Sequence, residues 1–234
     1  LETNDDWLGG DTLDSRLTFM PETSGRYYLS VTDFGTGTGD YRLSAKVGTY
    51  PPLLSTLDFG QSLETTSVDV YFVPGGQTVD DDLATVEWSA YEKGRAMAAL
   101  ATFEAVTGLK FNIVTSPDGA EFRLALTESI GEGTLAFFIP PGERNAGLGV
   151  FARDGRGWDE AGGGGLEAGG LGFATLLHEI GHGLGLAHPH DGGRQGLVMP
   201  GVNGPFGSLG VYGLNQGVFT MMGYNDGWTG QFGS

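Results

Sequence analysis

Short runs of alternating apolar and polar residues occupy the first part of the chain. They lie at residues 16–20, 26–31 and 41–45, with turn residues between them. Alternation with a period of two is typical of strands that bury one face. Three or four such strands make only a thin core. We therefore expect residues 1–47 to form a partial, small β-sandwich-like module.

The pattern changes after residues 48–62, which form a polar linker with two prolines. Mixed three- and four-residue spacing of apolar positions predicts a helix over residues 83–106. A Gly-rich loop at residues 153–172 then leads into a second, strongly apolar helix. Runs of strand length lie at residues 67–73, 111–114, 122–126, 134–139 and 148–152. This order of elements predicts an α+β domain over residues 63–234.

Composition narrows the classes of partner. The chain has 234 residues, with 12 Lys and Arg against 29 Asp and Glu, and its formal net charge is −17. Nucleic acids and anionic membranes attract basic proteins, so neither is expected as a partner. No apolar run approaches the roughly 20 residues that cross a bilayer. The absence of Cys excludes disulfides, thiolate metal sites and Cys nucleophiles.

The histidines of the chain are clustered at His178, His182, His188 and His190. On a helix, His178 and His182 are one turn apart on the same face, where two imidazoles can bind one Zn²⁺. His188 is too far along to reach that ion on an unbroken helix. Gly185 can take a positive φ at the helix end and turn the chain back. We therefore predict a zinc site with three His ligands and an open position.

Glu179 follows the first ligand and lies about 100° around the helix. There its carboxylate can take a proton from a water that the metal acidifies. The predicted reaction is peptide-bond hydrolysis, in which Glu179 passes this proton to the leaving amine. The pair His178 and His182 alone could be incidental on a buried helix, but the fixed offsets to Gly185 and His188 disfavour that interpretation. We expect His190 to be an exposed loop residue, because four His ligands would close the site.

Together these positions form one motif, which consists of His178, Glu179, His182, Gly185 and His188 and is followed by Pro189. This motif resembles that of the serralysin-type metzincins. These are secreted bacterial zinc endopeptidases, and the resemblance covers most of residues 63–224. It implies a twisted mixed sheet with long helices and an active-site cleft. It also implies that Met222 is the Met-turn residue and that Tyr224 is a further zinc ligand. Tyr224 would swing away when substrate binds and then donate to the oxyanion.

Without the resemblance, Met222 is simply a core residue and Tyr224 a half-buried aromatic residue. The family usually has Ser at the position of Gly223, and we expect the glycine to loosen the turn slightly. The resemblance also implies an edge strand that binds extended substrate by main-chain hydrogen bonds. Its residues would be Thr134, Leu135, Ala136, Phe137 and Phe138. An ordinary internal strand is the alternative for that segment.

Calcium is a second candidate metal. Asp154 and Asp159 in the Gly-rich loop could hold one Ca²⁺, although solvated carboxylates explain them equally well. Family members continue past the Met-turn into a helix and calcium-binding repeats, whereas this chain ends at Ser234. A C-terminal fragment of the same protein or a proteinaceous inhibitor is therefore an expected partner. Residues 1–47 weakly resemble the end of a bacterial pre-peptidase C-terminal domain.

The sequence thus favours a secreted, extracellular bacterial zinc endopeptidase that acts on protein or peptide substrates. The first residues include neither an initiator Met nor an apolar signal segment, so we expect a processed piece of a longer precursor. A processing protease of narrow specificity is the alternative within the enzymes. A non-catalytic binding module, or one half of a nicked or inhibited complex, is the alternative outside them.

Overall fold

The computed structural model describes residues 25–31, 40, 42–43, 53–80, 82–131, 133–158 and 164–227. The chain divides into two compact units, residues 58–187 and residues 1–57 together with 188–234. Residues 26–31 were predicted to be a strand, but they are exposed and adopt none. Residues 42–43 are not in a strand either, and the rest of the predicted β-module lies outside the described residues. The predicted bounds of the module, the linker and the larger domain stay predictions.

The unit at residues 58–187 is built on a mixed sheet. Its strands are β1 (Ser67–Phe72), β2 (Thr78–Val79), β3 (Leu83–Ala84), β4 (Lys110–Val114), β5 (Phe122–Thr127), β6 (Ala136–Phe138) and β7 (Leu148–Ala152). Five of them form one sheet in the order β4-β1-β5-β7-β6. The first four pair in parallel, and β6 pairs antiparallel to β7. The sequence located these five strands to within two residues at either end.

Two helices, α1 (Ala90–Val106) and α2 (Leu171–Gly183), contact each other and this sheet. Their apolar residues and alternate residues of the central strands form the main core, among them Val70, Leu124, Leu100 and Leu176. A smaller apolar cluster joins the remaining strand residues to the β2–β3 hairpin. The α+β class is therefore confirmed. Across the described residues, neither helix combines the length and the apolarity needed to cross a membrane.

The start of α1 differs from the prediction, which placed it at residue 83. Ser89 caps the helix: its hydroxyl accepts from the Glu92 N–H, and the Glu92 carboxylate accepts from the Ser89 N–H. This capping box satisfies two of the free N–H groups at a helix start. Before it the chain is extended, and the Val86 N–H donates to the Leu126 carbonyl at 2.8 Å. The apolar spacing before Ser89 therefore belongs to packing against the sheet.

The Gly-rich loop before α2 is held together by backbone contacts. A Cβ atom on Gly165 would lie 2.1 Å from the Gly157 carbonyl oxygen, and one on Gly172 would lie 2.2 Å from it. Only glycine fits where two backbones approach this closely. Glu167 fixes the same loop to α1 through hydrogen bonds from the Tyr91 hydroxyl and the Arg95 guanidinium. The loop thus gives α2 a defined start.

Glu92 is fully buried in the first turn of α1. Its carboxylate accepts from the Trp158 Nε1–H at 2.8 Å, and Arg153 donates to both of its oxygens at 3.1 Å. Burial raises the pKa of Glu92. The hydrogen bonds from Arg153, Trp158 and Ser89 together lower it by a larger amount, so the net pKa lies below its ordinary value. This charged network joins α1 to the segment that follows β7.

We expect Glu92→Gln to lower the free energy of unfolding at neutral pH by about 2 kcal/mol, because an amide cannot accept all of these hydrogen bonds. The folded-state pKa is lowered, so the carboxylate stabilises the fold above its ordinary pKa of 4.5. That contribution is lost as the pH falls through the lower folded-state value. Urea unfolding followed by Trp fluorescence, from neutral pH to about pH 3, measures it. A difference between wild type and variant that persists at acid pH would contradict the ion pair.

Candidate metal site

The helix α2 presents two histidines from an otherwise apolar surface. Phe173, Leu176 and Ile180 of this helix are buried in the core. His178 and His182 are 8% and 9% exposed, and their Nε2 atoms lie 3.1 Å apart. Two nitrogens bound to one tetrahedral Zn²⁺ at about 2.0–2.1 Å each lie about 3.3–3.4 Å apart. The observed spacing therefore fits two ligands of one ion.

A backbone carbonyl sets the orientation of the second histidine. The Nδ1 atom of His182 lies 2.8 Å from the Leu186 carbonyl oxygen. Because a carbonyl can only accept, Nδ1 carries the proton and Nε2 keeps its lone pair for a metal. Such a partner on the far nitrogen is typical of histidine ligands and fixes both the tautomer and the ring.

A glycine turn ends α2 and brings Leu186 into that position. Gly185 has a φ of 99°, which confirms the predicted glycine stop. The Gly185 N–H donates to the His182 carbonyl and the Leu186 N–H to the Gly181 carbonyl, both at 2.9 Å. This pair of bonds is the Schellman motif. A Cβ atom on Gly185 would lie 2.3 Å from the Gln61 carbonyl oxygen, so the turn also requires glycine for its packing.

His188 is oriented by a carboxylate. Its Nδ1 lies 2.5 Å from Asp191 Oδ2, and the Gly193 N–H donates to Asp191 Oδ1 at 2.9 Å. Burial raises the pKa of Asp191. The hydrogen bonds from His188 and Gly193 together lower it by a larger amount, so the net pKa is below its ordinary value. The ionised carboxylate leaves His188 Nε2 as the ligand atom. Sequence reasoning assigned Asp191 no role, although an Asp three residues after the third His is a usable signal.

His178, His182 and His188 are a group that could hold one metal ion. Three imidazoles suit Zn²⁺, and also Cu, Fe and Ni ions. His188, His190 and Asp191 form a second such group among the described residues. Asp154 belongs to neither group, and Asp159 lies outside the described residues.

Glu179 provides a separate test of the fit to a metal. It is 7% exposed, and its Oε2 atom has no hydrogen-bond partner within the part of the chain that the structure describes. Burial raises the pKa of Glu179 to about 8. A nearby divalent cation favours the ionised form of such a carboxyl group and offsets the cost of burying it. The residues present therefore fit a divalent metal beside the histidines.

Tyr224 lies beside the third histidine. Its hydroxyl is 2.9 Å from His188 Nε2, and the residue is 42% exposed, so it is not a core residue. Met222 is almost completely buried two residues earlier. A Cβ atom on Gly223 would lie 2.7 Å from Oδ1 of Asn215, a buried residue. The glycine therefore lets the turn pack closely against Asn215, and the expected loosening of the turn stays a prediction.

His190 is half-buried and not the exposed loop residue that the sequence suggested. Its ring stacks on His188, with 4.8 Å between ring centroids and 21° between ring planes. It also contacts the Tyr224 ring, with 5.2 Å between the two ring centroids. The buried Nδ1 atom has no hydrogen-bond partner among the described residues. Burial and the neighbouring His188 lower the pKa of His190 to about 4.

The predicted substrate strand is an edge strand of the described sheet, as β6 is the last strand on its side. The Leu135 carbonyl accepts from Ala152, and the Ile139 N–H donates to Leu148. Backbone groups alternate between the two sides of a strand. The backbone groups of Ala136 and Phe138 therefore point away from β7, at the open edge. Thr134 precedes β6, and Phe137 pairs with Val150.

No protein-family model matches this chain, and no curated protein matches it as a relative. Its function must therefore be inferred from the site and not from the fold. The described geometry supplies three imidazoles, two of which face fixed acceptors, and a buried carboxyl oxygen on the residue that follows the first of them.

We expect Gly185→Ala to lower the free energy of unfolding by at least about 3 kcal/mol, because the new methyl group meets both a positive φ and the Gln61 backbone. Gly76→Ala is the matched control: Gly76 has a φ of 81° and no atom within 4 Å of its added Cβ. That variant should lose only about 1–2 kcal/mol from the positive φ. Urea unfolding of the two variants compares these losses. Equal losses would show that the contact with Gln61 contributes nothing.

Proposed function

We propose that this chain is a zinc-dependent endopeptidase of the serralysin-like metzincin class. The observation that carries the proposal is the pair of facing Nε2 atoms on His178 and His182, together with the buried Oε2 atom of Glu179, which has no hydrogen-bond partner among the described residues. His188 would be the third ligand. Bound Zn²⁺ supplies a Lewis acid that acidifies water and polarises a peptide carbonyl group. The assignment to the serralysin-like class depends further on Pro189 and the Met-turn sequence.

Glu179 is the general base in this proposal. Its Oε2 atom is buried and free to accept a proton from the attacking water. The same oxygen then returns the proton to the leaving nitrogen when the carbon–nitrogen bond breaks. A low-polarity environment strengthens such transfers, because no bulk water competes for the proton. A buried carboxyl oxygen without a hydrogen-bond partner in the described part of the chain would otherwise only destabilise the fold.

Tyr224 stabilises the developing negative charge. Its hydroxyl lies beside a nitrogen of His188 and can donate a hydrogen bond to an oxyanion formed at the site. Removing one donor of this kind costs about 100- to 1,000-fold in kcat. The contribution is specific to the transition state, because the substrate carbonyl oxygen carries less charge than the oxyanion.

The open edge of β6 would bind the substrate. Ala136 and Phe138 present N–H and C=O groups to which an extended peptide can add as a further strand. Such main-chain bonds recognise unfolded protein or peptide with little regard to side chains. A peptidase of this type is expected to act outside the cell on protein or peptide substrates, as the resemblance to secreted bacterial enzymes implies.

Hydrolysis of unfolded casein by the purified chain tests this function. We expect activity that a chelator removes and that Zn²⁺ restores, because the metal supplies the Lewis acid. Glu179→Gln is the matched control: it keeps the shape of the side chain and the zinc content but should lose hydrolysis. A folded, zinc-loaded wild type without activity would refute the proposal. An active Glu179→Gln variant would remove Glu179 from the mechanism.

We expect Tyr224→Phe to lower kcat by about 100-fold and to change KM little, because the hydroxyl acts on the transition state. The phenyl ring preserves the contacts of Tyr224 with its aromatic neighbours. Steady-state kinetics on one fluorogenic peptide, at matched zinc content, separate the two constants. If KM rises and kcat is unchanged, Tyr224 binds substrate and does not stabilise the oxyanion.

A further inference from the structure

His190 is the one histidine of the chain that the proposed mechanism does not use. Its ring nevertheless occupies a defined position, stacked on His188 and in contact with Tyr224. The Phe206 ring contacts Tyr224 as well, at 5.4 Å between centroids. The metal ligand and the hydroxyl donor of the site therefore belong to one group of packed aromatic rings.

The stacking excludes joint metal ligation by His188 and His190. A ring nitrogen binds a metal in the plane of its ring, at about 2.0–2.1 Å. The two ring planes differ by only 21°, with centroids 4.8 Å apart, so the planes do not meet at a point within that distance of a nitrogen on each ring. Asp191 already accepts from His188 on one oxygen and from Gly193 on the other. The group of His188, His190 and Asp191 is therefore not a second metal site.

We propose that His190 is a positioning residue, whose ring holds His188 in its metal-binding orientation and keeps the Tyr224 hydroxyl beside it. This inference rests on the proposed zinc site. Asp191 and the Tyr224 hydroxyl contact the two nitrogens at the edge of the His188 ring, whereas His190 packs against its face. A flat neighbour stacked on the ring face opposes tilting of the ring. Contact with Tyr224 extends the same constraint to the phenol ring.

Comparison of His190→Ala with His190→Phe tests the proposal. Stacking needs only a flat ring, whereas ligation needs a nitrogen atom. We expect the alanine variant to bind Zn²⁺ about 10-fold more weakly, which is the size of effect typical of residues that orient a ligand. The phenylalanine variant should stay within about 2-fold of wild type. Competition with a chromophoric chelator gives the dissociation constants without reference to activity, and circular dichroism checks that both variants fold.

Kinetics then test the link to Tyr224. We expect His190→Ala to lower kcat more than it raises KM, and His190→Phe to restore most of the loss. In the Tyr224→Phe background, His190→Ala should have a smaller effect on kcat, because the hydroxyl that it positions is gone. An undiminished effect in that background would overturn the part of the proposal that concerns Tyr224.

Three outcomes separate the interpretations. If phenylalanine weakens zinc binding as much as alanine does, His190 acts through a nitrogen atom and the proposal fails. If alanine changes neither zinc affinity nor kcat, His190 has no positioning role. If wild type binds zinc but does not cleave casein, the proposed function fails, while a weaker alanine variant still supports positioning of His188.

Discussion

The glycine turn after α2 is the constraint on which the candidate site depends. Gly185 ends the helix one turn after His182, and the Schellman bonds place the Leu186 carbonyl beneath the imidazole that it orients. One backbone conformation therefore stops a helix, selects a tautomer and redirects the chain towards His188. The close approach of the Gln61 carbonyl leaves no room for a side chain at this turn. The positions of two candidate ligands, His182 and His188, thus depend on one glycine.

The site is organised before any metal binds. The far nitrogens of His182 and His188 face fixed acceptors, a carbonyl and a carboxylate. An ion would meet lone pairs that are already directed, so little side-chain entropy remains to be lost on binding. The two acceptors differ in kind, since one is a neutral carbonyl and the other a carboxylate.

Local patterns carried most of what the sequence predicted. The four-residue spacing of His178 and His182 and the helix end at Gly185 could be predicted, because a helix and its end are determined within a few residues. The strands could be predicted from apolar runs. The start of α1 was wrong because the apolar positions before Ser89 pack against the sheet and only imitate helical spacing. The edge position of β6 depends on strand order, which is a long-range property. The stacking of His190 depends on irregular loops, whose paths no periodicity encodes.

The glycine-rich loop before α2 affects how the protein responds to heating. Ordering a segment so rich in glycine costs more backbone entropy than ordering other residues. The free energy that keeps this loop closed should therefore fall steeply with temperature. Its opening would release Glu167 from Tyr91 and Arg95 and unwind the first turn of α2 before the core melts. Heating should then first open this loop in a local event that precedes global unfolding, and an added protease of broad specificity would cleave the opened loop before the rest of the chain.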